Sequence, residues 1–326
     1  MQEIAAISEV FEPGAIWPDT DGAPIQAHGG GILAHEGMYY WYGENKDGIT
    51  DASVERVDVV GVSCYSSKDL FHWKNEGVVL PAVPDSPEHD LHPSKVAERP
   101  KVIYNALTGK FVLWLHVDSS DYTYARTGRA ISDSPTGPFT YIGSIRPADL
   151  DSRDMTLFQD TDSAAYVIFS SDWNSVTRIA RLTDDYLNTT DTVAEAFRGS
   201  NNHTGRESPA IFHNGDRYFF IGSGCTGWAP NAAEYAVAPS PLGPWEVKGS
   251  PCLGDNAETT FGAQNTFVLP IADRPGAFIL MLDRWNPKDL RDSRYIWLPL
   301  FVKDDHVTVE WRDSWDLSIV GACLCA

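Results

Sequence analysis

One pattern recurs five times along this chain of 326 residues and restricts its fold more than any other feature. Each copy consists of two short apolar and aromatic runs separated by a polar or glycine-containing turn, which is typical of a β-hairpin. In the fourth copy, for example, the runs 210–212 and 218–222 flank an Asn-Gly turn at 214–215. The five copies begin near residues 29, 98, 154, 207 and 264.

A third strand follows most of the hairpins and carries its own signature. A Ser-Pro-x-Gly-Pro sequence followed by an aromatic residue occurs twice, at 134–139 and at 240–245. A repeat of about 50 residues that contains three or four short strands indicates a β-propeller. We therefore predict an all-β fold, a five-bladed β-propeller that forms a single domain over residues 1–326, with an irregular β-sandwich as the alternative. We expect tail residues 311–320, or the N-terminal segment, to close the ring.

Composition argues against several classes of partner. The formal net charge of −20 disfavours nucleic acid and anionic membranes, and no apolar run is long enough to span a membrane. The first residues lack the basic and apolar regions of a signal peptide, so we expect a cytoplasmic protein or one from which a leader has been removed. The cysteines show no zinc-binding spacing and are expected to be mostly free thiols: Cys64, Cys225, Cys252, Cys323 and Cys325.

Two long polar segments interrupt the repeats, at residues 45–58 and 81–97, and the second contains four prolines. Long loops on one face of a propeller usually shape its binding mouth. We therefore expect these two loops to determine which ligand the protein accepts.

The residue just before the first strand of each blade is polar or charged in every copy. In a propeller the first strand of each blade lines the central channel, so these residues are expected to gather at one mouth. They are His28, Glu98, Asp154, Glu207 and Gln264. A solvated rim that caps the strands is the alternative, but three acids at equivalent positions of consecutive blades favour a functional site.

Convergent carboxylates suit the hydrolysis of a glycosidic bond. One acid must stay protonated to give a proton to the leaving oxygen, while another group activates a water molecule on the far side of the sugar. A neighbouring carboxylate raises the pKa of that acid by like-charge repulsion. Glu207 is the best candidate for the acid, and Asp154 is the best candidate for the carboxylate that tunes its pKa.

A divalent cation is a rival use for the same acids. No Asp-x-Asp-x-Asp-Gly loop supports a dedicated calcium site, although a single structural calcium ion in the central channel stays open as an alternative. We predict that no cofactor is required and assign no residue as a metal ligand.

These features together resemble glycoside hydrolase family 43, a family of five-bladed propeller enzymes with an inverting mechanism. The resemblance covers nearly the whole chain and is closest to the branch that contains exo-β-1,3-galactanases, with sister subfamilies of arabinofuranosidases and galactofuranosidases. Its most specific elements are Glu-Arg-Pro-Lys-Val at 98–102 and Gly-Trp-Ala-Pro-Asn at 227–231. The other matching segments are 25–31, 39–44, 103–105, 151–154, 158–160, 283–285 and 293–297.

The resemblance implies catalytic roles for most of the polar entrance residues. Glu207 matches the general acid of the family, and Asp154 matches the aspartate that adjusts the pKa of that acid. The aspartate base of the family does not transfer, because His28 stands at its position. In the galactanase-like branch a glutamine that matches Gln264 is proposed to serve instead, as its imidic acid tautomer. Glu98 matches a sugar-binding glutamate of the branch and is the other candidate for the base.

The resemblance also implies a set of substrate contacts. Tyr122 falls where the branch has a substrate-contacting tyrosine. His28 is expected to bind a sugar hydroxyl, with a role as the base as the alternative. Glu44, Trp228 and Arg294 lie in matching segments and complete the predicted substrate-binding set. Four tryptophans either stack on sugar faces or pack in the core: Trp41, Trp114, Trp228 and Trp285.

The leading hypothesis is an exo-acting, inverting glycoside hydrolase that releases a terminal sugar from β-1,3-galactan or arabinogalactan-type glycans. Within the same family, an α-L-arabinofuranosidase or a β-D-galactofuranosidase is the alternative. A non-catalytic carbohydrate-binding propeller is the alternative of another class, and the missing aspartate base supports it. In each case the expected partner is an oligosaccharide or polysaccharide, and neither a nucleic acid nor a membrane.

Overall fold

Five sheets, each built from one contiguous stretch of chain, make up the computed structural model, which describes residues 9–272 and 274–320. Blade one contains β1 (His28–His35), β2 (Met38–Glu44), β5 (Gly61–Ser67) and β6 (Lys74–Pro81). The loop between its second and third strands carries a small ribbon of β3 (Thr50–Asp51) and β4 (Arg56–Val57). Blade two contains β7 (Val96–Asn105), β8 (Lys110–Asp118), β9 (Arg126–Ser132) and β10 (Thr140–Ile145).

Blades three and four follow the same order, whereas blade five begins with a short extra strand that pairs in parallel with its last strand, at the outer edge. Blade three contains β11 (Met155–Gln159), β12 (Ala165–Ser171), β13 (Val176–Leu182) and β14 (Thr189–Arg198). Blade four contains β15 (Glu207–Asn214), β16 (Arg217–Ser223), β17 (Glu234–Ala238) and β18 (Glu246–Gly249). Blade five contains β19 (Cys252–Leu253), β20 (Gln264–Pro270), β21 (Phe278–Arg284), β22 (Arg294–Lys303) and β23 (His306–Glu310). Short 3₁₀ helices span Pro147–Asp149, Ala257–Gly262 and Leu290–Asp292.

The first strands of the blades contact one another in a closed circle, in the order β1, β7, β11, β15, β20 and back to β1. The predicted five-bladed propeller is therefore confirmed, and each predicted hairpin forms the first two strands of a blade. The blade-one hairpin shows why the sequence turns where it does. Its two-residue loop is Glu36 and Gly37, which have φ angles of +49° and +77°. Two-residue hairpin loops favour positive φ because the resulting twist matches that of the strands.

Apolar side chains fill the gaps between neighbouring blades rather than one central core. Five buried clusters correspond to the five interfaces around the ring, and each draws its residues from two adjacent blades. Trp41 belongs to the cluster between blades one and five, and Trp114 to the cluster between blades two and three. Both side chains are fully buried, so these two tryptophans pack in the core and do not stack on sugars.

The ring is closed where the two ends of the chain meet. Phe11 and Trp315 form an isolated antiparallel bridge, with N–H···O distances of 2.7 and 3.0 Å, and their rings lie 4.3 Å apart. Both rings belong to the buried cluster between blades one and five. The expectation that residues 311–320 or the N-terminal segment close the ring is confirmed, since the two segments pair with each other across the seam. Neither segment adds a strand to a blade, because β23 is the last strand of blade five.

Three further expectations can be compared with the structure. Cys64, Cys225 and Cys252 are free thiols, as predicted, whereas Cys323 and Cys325 lie outside the described residues. The sequence also indicates a polar turn near Asp273 in the fifth hairpin, and Asp273 itself lies outside the described residues. Within 9–272 and 274–320, no helix has the length and apolar character needed to cross a bilayer.

Candidate active site

A β-bulge stands at the beginning of three first strands and sets the direction of the polar residue there. The register shifts after His28, Glu98 and Glu207 in blades one, two and four. A bulge bends its strand and re-aims a side chain. The next residue in each blade has a left-handed φ, namely +58° at Gly29, +56° at Arg99 and +51° at Ser208.

The backbone N–H of each of these left-handed residues donates to a carboxylate of the preceding blade around the ring. Gly29 donates to Asp283 Oδ2 at 2.8 Å. Arg99 donates to Glu44 Oε1 at 2.9 Å, and Ser208 donates to Asp154 Oδ2 at 2.9 Å. A left-handed conformation costs a non-glycine residue roughly 1–2 kcal/mol, so the retained geometry reflects these interactions between blades.

Four of the five entrance residues line one cavity of about 880 Å³, namely Glu98, Asp154, Glu207 and Gln264. Glu44, Tyr122 and Trp228, which the sequence predicted as substrate contacts, line the same cavity. So do parts of the two long loops, namely residues 45–46, 54–58 and 95–97, together with residues 59–61, which follow the first loop. The structure therefore brings together most of the predicted site, and the predicted loops form part of its wall.

His28 is not brought to this cavity. Its side chain has no exposed surface, its Nδ1 lies 2.9 Å from Asp283 Oδ1, and its ring stacks on Tyr295 at 4.7 Å. This position corrects the expectation of a sugar contact, and equally the alternative of a base, because Asp283 and Tyr295 enclose the imidazole. His28 instead supports the start of blade one.

Arg294 is also misplaced by the sequence prediction. It begins β22, the third strand of blade five, and third strands lie away from the central channel. Its guanidinium pairs with the carboxylate of Asp292 and donates to the Asp292 carbonyl oxygen at 2.7 Å. It borders a small surface pocket with residues 15–17 and 24–26. Arg294 therefore takes no part in the cavity.

Glu207 is a buried carboxyl group with a raised pKa. Burial, and next the negative charge of Asp154, raise its pKa to about 7. Two contacts oppose this rise: the positive charge of Arg99, and a hydrogen bond of 2.6 Å from Asn174 Nδ2 to Glu207 Oε1. The carboxyl group consequently holds a proton up to about neutral pH, as a general acid requires.

Arg99 connects several groups of the cavity and was not identified from the sequence as a functional residue. Its Nη2 atom lies 3.0 Å from Asp154 Oδ2 and donates to Gln264 Oε1 at 2.7 Å. Its guanidinium also lies over the ring of Trp285, 5.9 Å from the centroid. Within the part of the chain that the structure describes, its buried Nη1 has no hydrogen-bond partner.

Glu98 has the opposite protonation preference to Glu207. Burial alone would raise its pKa, but the hydrogen bond and charge of His116 lower it to about 2. His116 Nδ1 lies 3.3 Å from Glu98 Oε2, and its Nε2 lies 2.9 Å from Asp118. The two carboxylates in turn overcome the effect of burial and raise the pKa of His116 to about 9. Tyr122 donates to Glu98 Oε1 at 3.1 Å.

Glu98, His116 and Asp154 offer three ligand atoms within 4.8 Å of one another, so we tested whether they suit a cation. Both nitrogens of His116 already face carboxylates, and its raised pKa keeps the imidazole protonated. Asp154 is paired with Arg99. Calcium prefers six to eight oxygen ligands. These residues therefore do not fit a calcium ion, because Arg99 already pairs with Asp154 and the protonated His116 already pairs with Glu98.

Comparisons with known proteins address the family to which the chain is similar. The family model described as Glycosyl hydrolases family 43 matches residues 30–268. A search of curated protein sequences gave no match.

Several solved structures resemble the chain over most of its length. A family-43 β-1,3-galactosidase, BT3683, with galactodeoxynojirimycin, is 40% identical with a TM-score of 0.86, over 94% of this chain and 100% of that one. An exo-β-1,3-galactanase from Phanerochaete chrysosporium, with β-1,3-galactotriose, is 37% identical with a TM-score of 0.83, over 94% and 68%. A second β-1,3-galactosidase, BT0265, is 39% identical with a TM-score of 0.87 over 95% of this chain, which spans only 64% of that protein.

We predict that Glu207→Gln stabilises the fold at alkaline pH but not at acidic pH. The pKa of Glu207 is about 7 in the folded protein against an ordinary value of 4.5. As the pH rises between these values, the unfolded chain loses its proton first. The wild type should therefore lose up to about 3 kcal/mol of its free energy of unfolding, whereas the glutamine variant does not titrate. Thermal unfolding at about pH 4 and about pH 8 measures the difference.

The matched control is Glu12→Gln, which changes an exposed glutamate outside the cavity. The effect of Glu207→Gln at each pH is measured relative to this variant. A Glu207→Gln effect that stays constant between the two pH values would contradict a buried, neutral carboxyl group.

Proposed function

Because the chain belongs to glycosyl hydrolases family 43, we propose that it is an exo-acting, inverting glycosidase that releases terminal galactose from β-1,3-galactan-type chains. The observation that carries this proposal is the pair of carboxyl groups with opposite protonation in one cavity. Glu207 has a pKa of about 7 and Glu98 a pKa of about 2. Two titratable groups whose surroundings separate their pKa values in this way are typical of an acid and its partner.

Glu207 acts as the general acid in this proposal. The Asn174 amide donates to its Oε1 at 2.6 Å, so that oxygen is an acceptor and the proton resides on Oε2. The proton is then available to the glycosidic oxygen as the bond to the leaving sugar breaks. General acid catalysis of this kind contributes typically about 10²–10⁴-fold to the rate.

Asp154 keeps that acid protonated and is itself held in place. Its Oδ2 accepts the Ser208 N–H at 2.9 Å and pairs with Arg99 at 3.0 Å. Because Ser208 directly follows Glu207 in sequence, the same backbone turn positions both carboxyl groups. The negative charge of Asp154 is the second largest contribution to the raised pKa of Glu207, after burial.

Two groups are candidates for the activation of water, namely Gln264 and Glu98, and their hydrogen bonds and protonation distinguish them. Gln264 Oε1 accepts hydrogen bonds from Arg99 at 2.7 Å and from Trp285 Nε1 at 3.1 Å, and its Nε2 donates to Ser223 at 3.0 Å. Both lone pairs of that oxygen are thus occupied by donors, which disfavours the tautomer with a proton on the oxygen. Glu98 is ionised and lines the cavity. We therefore assign Glu98 as the base and Gln264 as a positioning group.

A carboxylate with a pKa of about 2 is a weaker base than an ordinary one. His116 is the reason, and its positive charge keeps Glu98 ionised between about pH 2 and about pH 7, where Glu207 is still protonated. Attack of water on the face opposite the leaving sugar inverts the configuration at the anomeric carbon.

Galactose as the released sugar rests on the similar structures. Those at 37–40% identity are described as β-1,3-galactosidases or exo-β-1,3-galactanases, and one was solved with β-1,3-galactotriose. An α-L-arabinofuranosidase or β-D-galactofuranosidase is the alternative within the family. A non-catalytic sugar-binding propeller is favoured by one observation, which is that His28 replaces the aspartate base.

We expect the wild type to release galactose from β-1,3-galactobiose, and Glu207→Gln to lower turnover at least about 100-fold without loss of the fold. The amide cannot give up a proton to the leaving oxygen. Product analysis on the disaccharide and on aryl β-galactopyranoside, α-L-arabinofuranoside and β-galactofuranoside measures this, with Glu12→Gln as the control. Release of only a furanose would select the alternative enzymes. Sugar binding without any release would select the binding propeller.

We expect Asp154→Asn to move the alkaline limb of the pH profile of kcat/KM to lower pH, by about one unit or more. The substitution removes a negative charge that raises the pKa of Glu207 and frees Arg99, whose positive charge lowers it. Asp162→Asn, in an exposed hairpin turn of blade three, is the matched control and should leave the limb near pH 7. An unchanged limb in Asp154→Asn would exclude its role in tuning Glu207.

The base assignment predicts different behaviour of two variants with azide. Glu98→Gln should lower hydrolysis of an aryl β-galactoside at least about 100-fold. Azide should restore cleavage and yield the α-galactosyl azide, because azide attacks the anomeric carbon without giving up a proton. Gln264→Ala should be less active but should not be rescued. Rescue of the Gln264 variant alone, measured by product NMR, would reverse the two roles.

A further inference from the structure

Three consecutive residues in the loop after β12 share a left-handed backbone. Asp172, Trp173 and Asn174 have φ angles of +51°, +53° and +57°. Each such residue costs roughly 1–2 kcal/mol relative to ordinary geometry. Backbone strain of this kind is concentrated at functional sites, where the surrounding structure enforces it.

The strained loop is fixed by hydrogen bonds from several directions. The carboxylate of Asp151 accepts the N–H of Asp172 at 2.9 Å and the hydroxyl of Ser171 at 2.9 Å. On the other side, the carbonyl oxygen of Trp173 accepts the His203 N–H at 2.8 Å. Trp173 and Asn174 are thus held in fixed positions rather than on a free loop.

The loop presents two neighbouring side chains to the cavity, and one of them contacts the acid. Asn174 donates to Glu207 at 2.6 Å. Trp173 is the residue directly before Asn174 in the chain and lines the same cavity. Because a general acid gives its proton to the leaving oxygen, the wall beside Glu207 faces the leaving sugar. Trp173 consequently lies on the leaving-group side.

The indole of Trp173 is supported on one side and exposed on the other. The Arg153 guanidinium lies 4.2 Å from the centroid of its ring, and the ring of His203 packs edge-on at 6.0 Å. Trp173 nevertheless remains 39% exposed, in contrast to the buried Trp41 and Trp114. An aromatic ring with one open face in a sugar-binding cavity is suited to stacking.

Arg153 adds an unused donor at the same place. Its side chain is 5% exposed and lines the cavity. It contacts the Asp151 carboxylate and donates to the Tyr122 carbonyl oxygen at 3.0 Å. Its Nε has no hydrogen-bond partner among the residues that the structure describes.

We propose that Trp173, backed by Arg153, is the platform on which the leaving sugar stacks during cleavage. This proposal rests on the proposed function, since it needs a scissile bond at Glu207. The ligand is a pyranose ring with a flat apolar face of C–H groups, such as the second galactose of a β-1,3-linked chain. Trp228 and Trp285, which pack against each other at 5.5 Å, also line the cavity, where Trp285 donates to Gln264.

The test compares two substrates that differ only beyond the scissile bond. β-1,3-Galactobiose carries a sugar as the leaving group, whereas β-galactosyl fluoride carries a single fluorine atom that cannot reach Trp173. Trp173→Ala should lower kcat/KM for the disaccharide about 10- to 100-fold and leave that for the fluoride within about twofold. Trp173→Phe, which keeps an aromatic face, should retain most of the disaccharide activity.

Trp311→Ala is the matched control. Trp311 also packs under an arginine, with Arg284 5.5 Å from its ring centroid, but it borders a different groove. The kcat/KM of Trp311→Ala for β-1,3-galactobiose and for β-galactosyl fluoride should both stay near the wild-type values. Equal losses on both substrates in Trp173→Ala would assign Trp173 to support of the loop, and no loss would exclude any contact. A wild type that cleaves neither substrate would overturn the proposed function itself.

Discussion

Three backbone N–H groups, each in a left-handed residue after a bulge, hold three carboxylates in place across neighbouring blades. The three hydrogen bonds join Gly29 to Asp283, Arg99 to Glu44 and Ser208 to Asp154. In each case the bulge that turns a polar side chain also presents the amide that anchors a carboxylate from the previous blade. The positions of the acids in the cavity therefore depend on the ring being closed, because no blade supplies both halves of this contact.

The glycine at the first of these sites shows how little space the arrangement leaves. A Cβ atom on Gly29 would lie 2.1 Å from Glu44 Oε1. The same residue type is not needed at Arg99 or Ser208, where side chains are present despite the positive φ. The side chain of Arg99 has a structural role in the cavity, because its guanidinium contacts both Asp154 and Gln264. Arg99 thus neutralises the charge of Asp154 and also positions the side chain of Gln264.

The sequence predicts the fold well because its signals are local. Hairpin turns and alternating apolar runs each lie within about 20 residues, and the polar residue before each first strand can be located in the same way. His28 carries the same signal as Glu207, but its partner Asp283 is 255 positions away, and only the folded ring shows that the histidine is buried. Arg99 and Asn174 were missed for a related reason, since their contacts with Asp154 and Glu207 join different blades. Their left-handed backbone has no signature in the composition. Arg294 was misplaced because a matching segment does not reveal which strand of a blade faces the channel.

The bridge between Phe11 and Trp315 has a consequence for anything attached to this domain. Chain entering the ring and chain leaving it pass through a single point, since the two backbones are hydrogen-bonded there at 2.7 and 3.0 Å. Additional modules at either end would share one anchorage on the surface, whichever end carried them. A force applied between the two ends would load the contacts of Arg274 with the Leu317 and Val320 carbonyl oxygens, and then this bridge with the aromatic cluster around it.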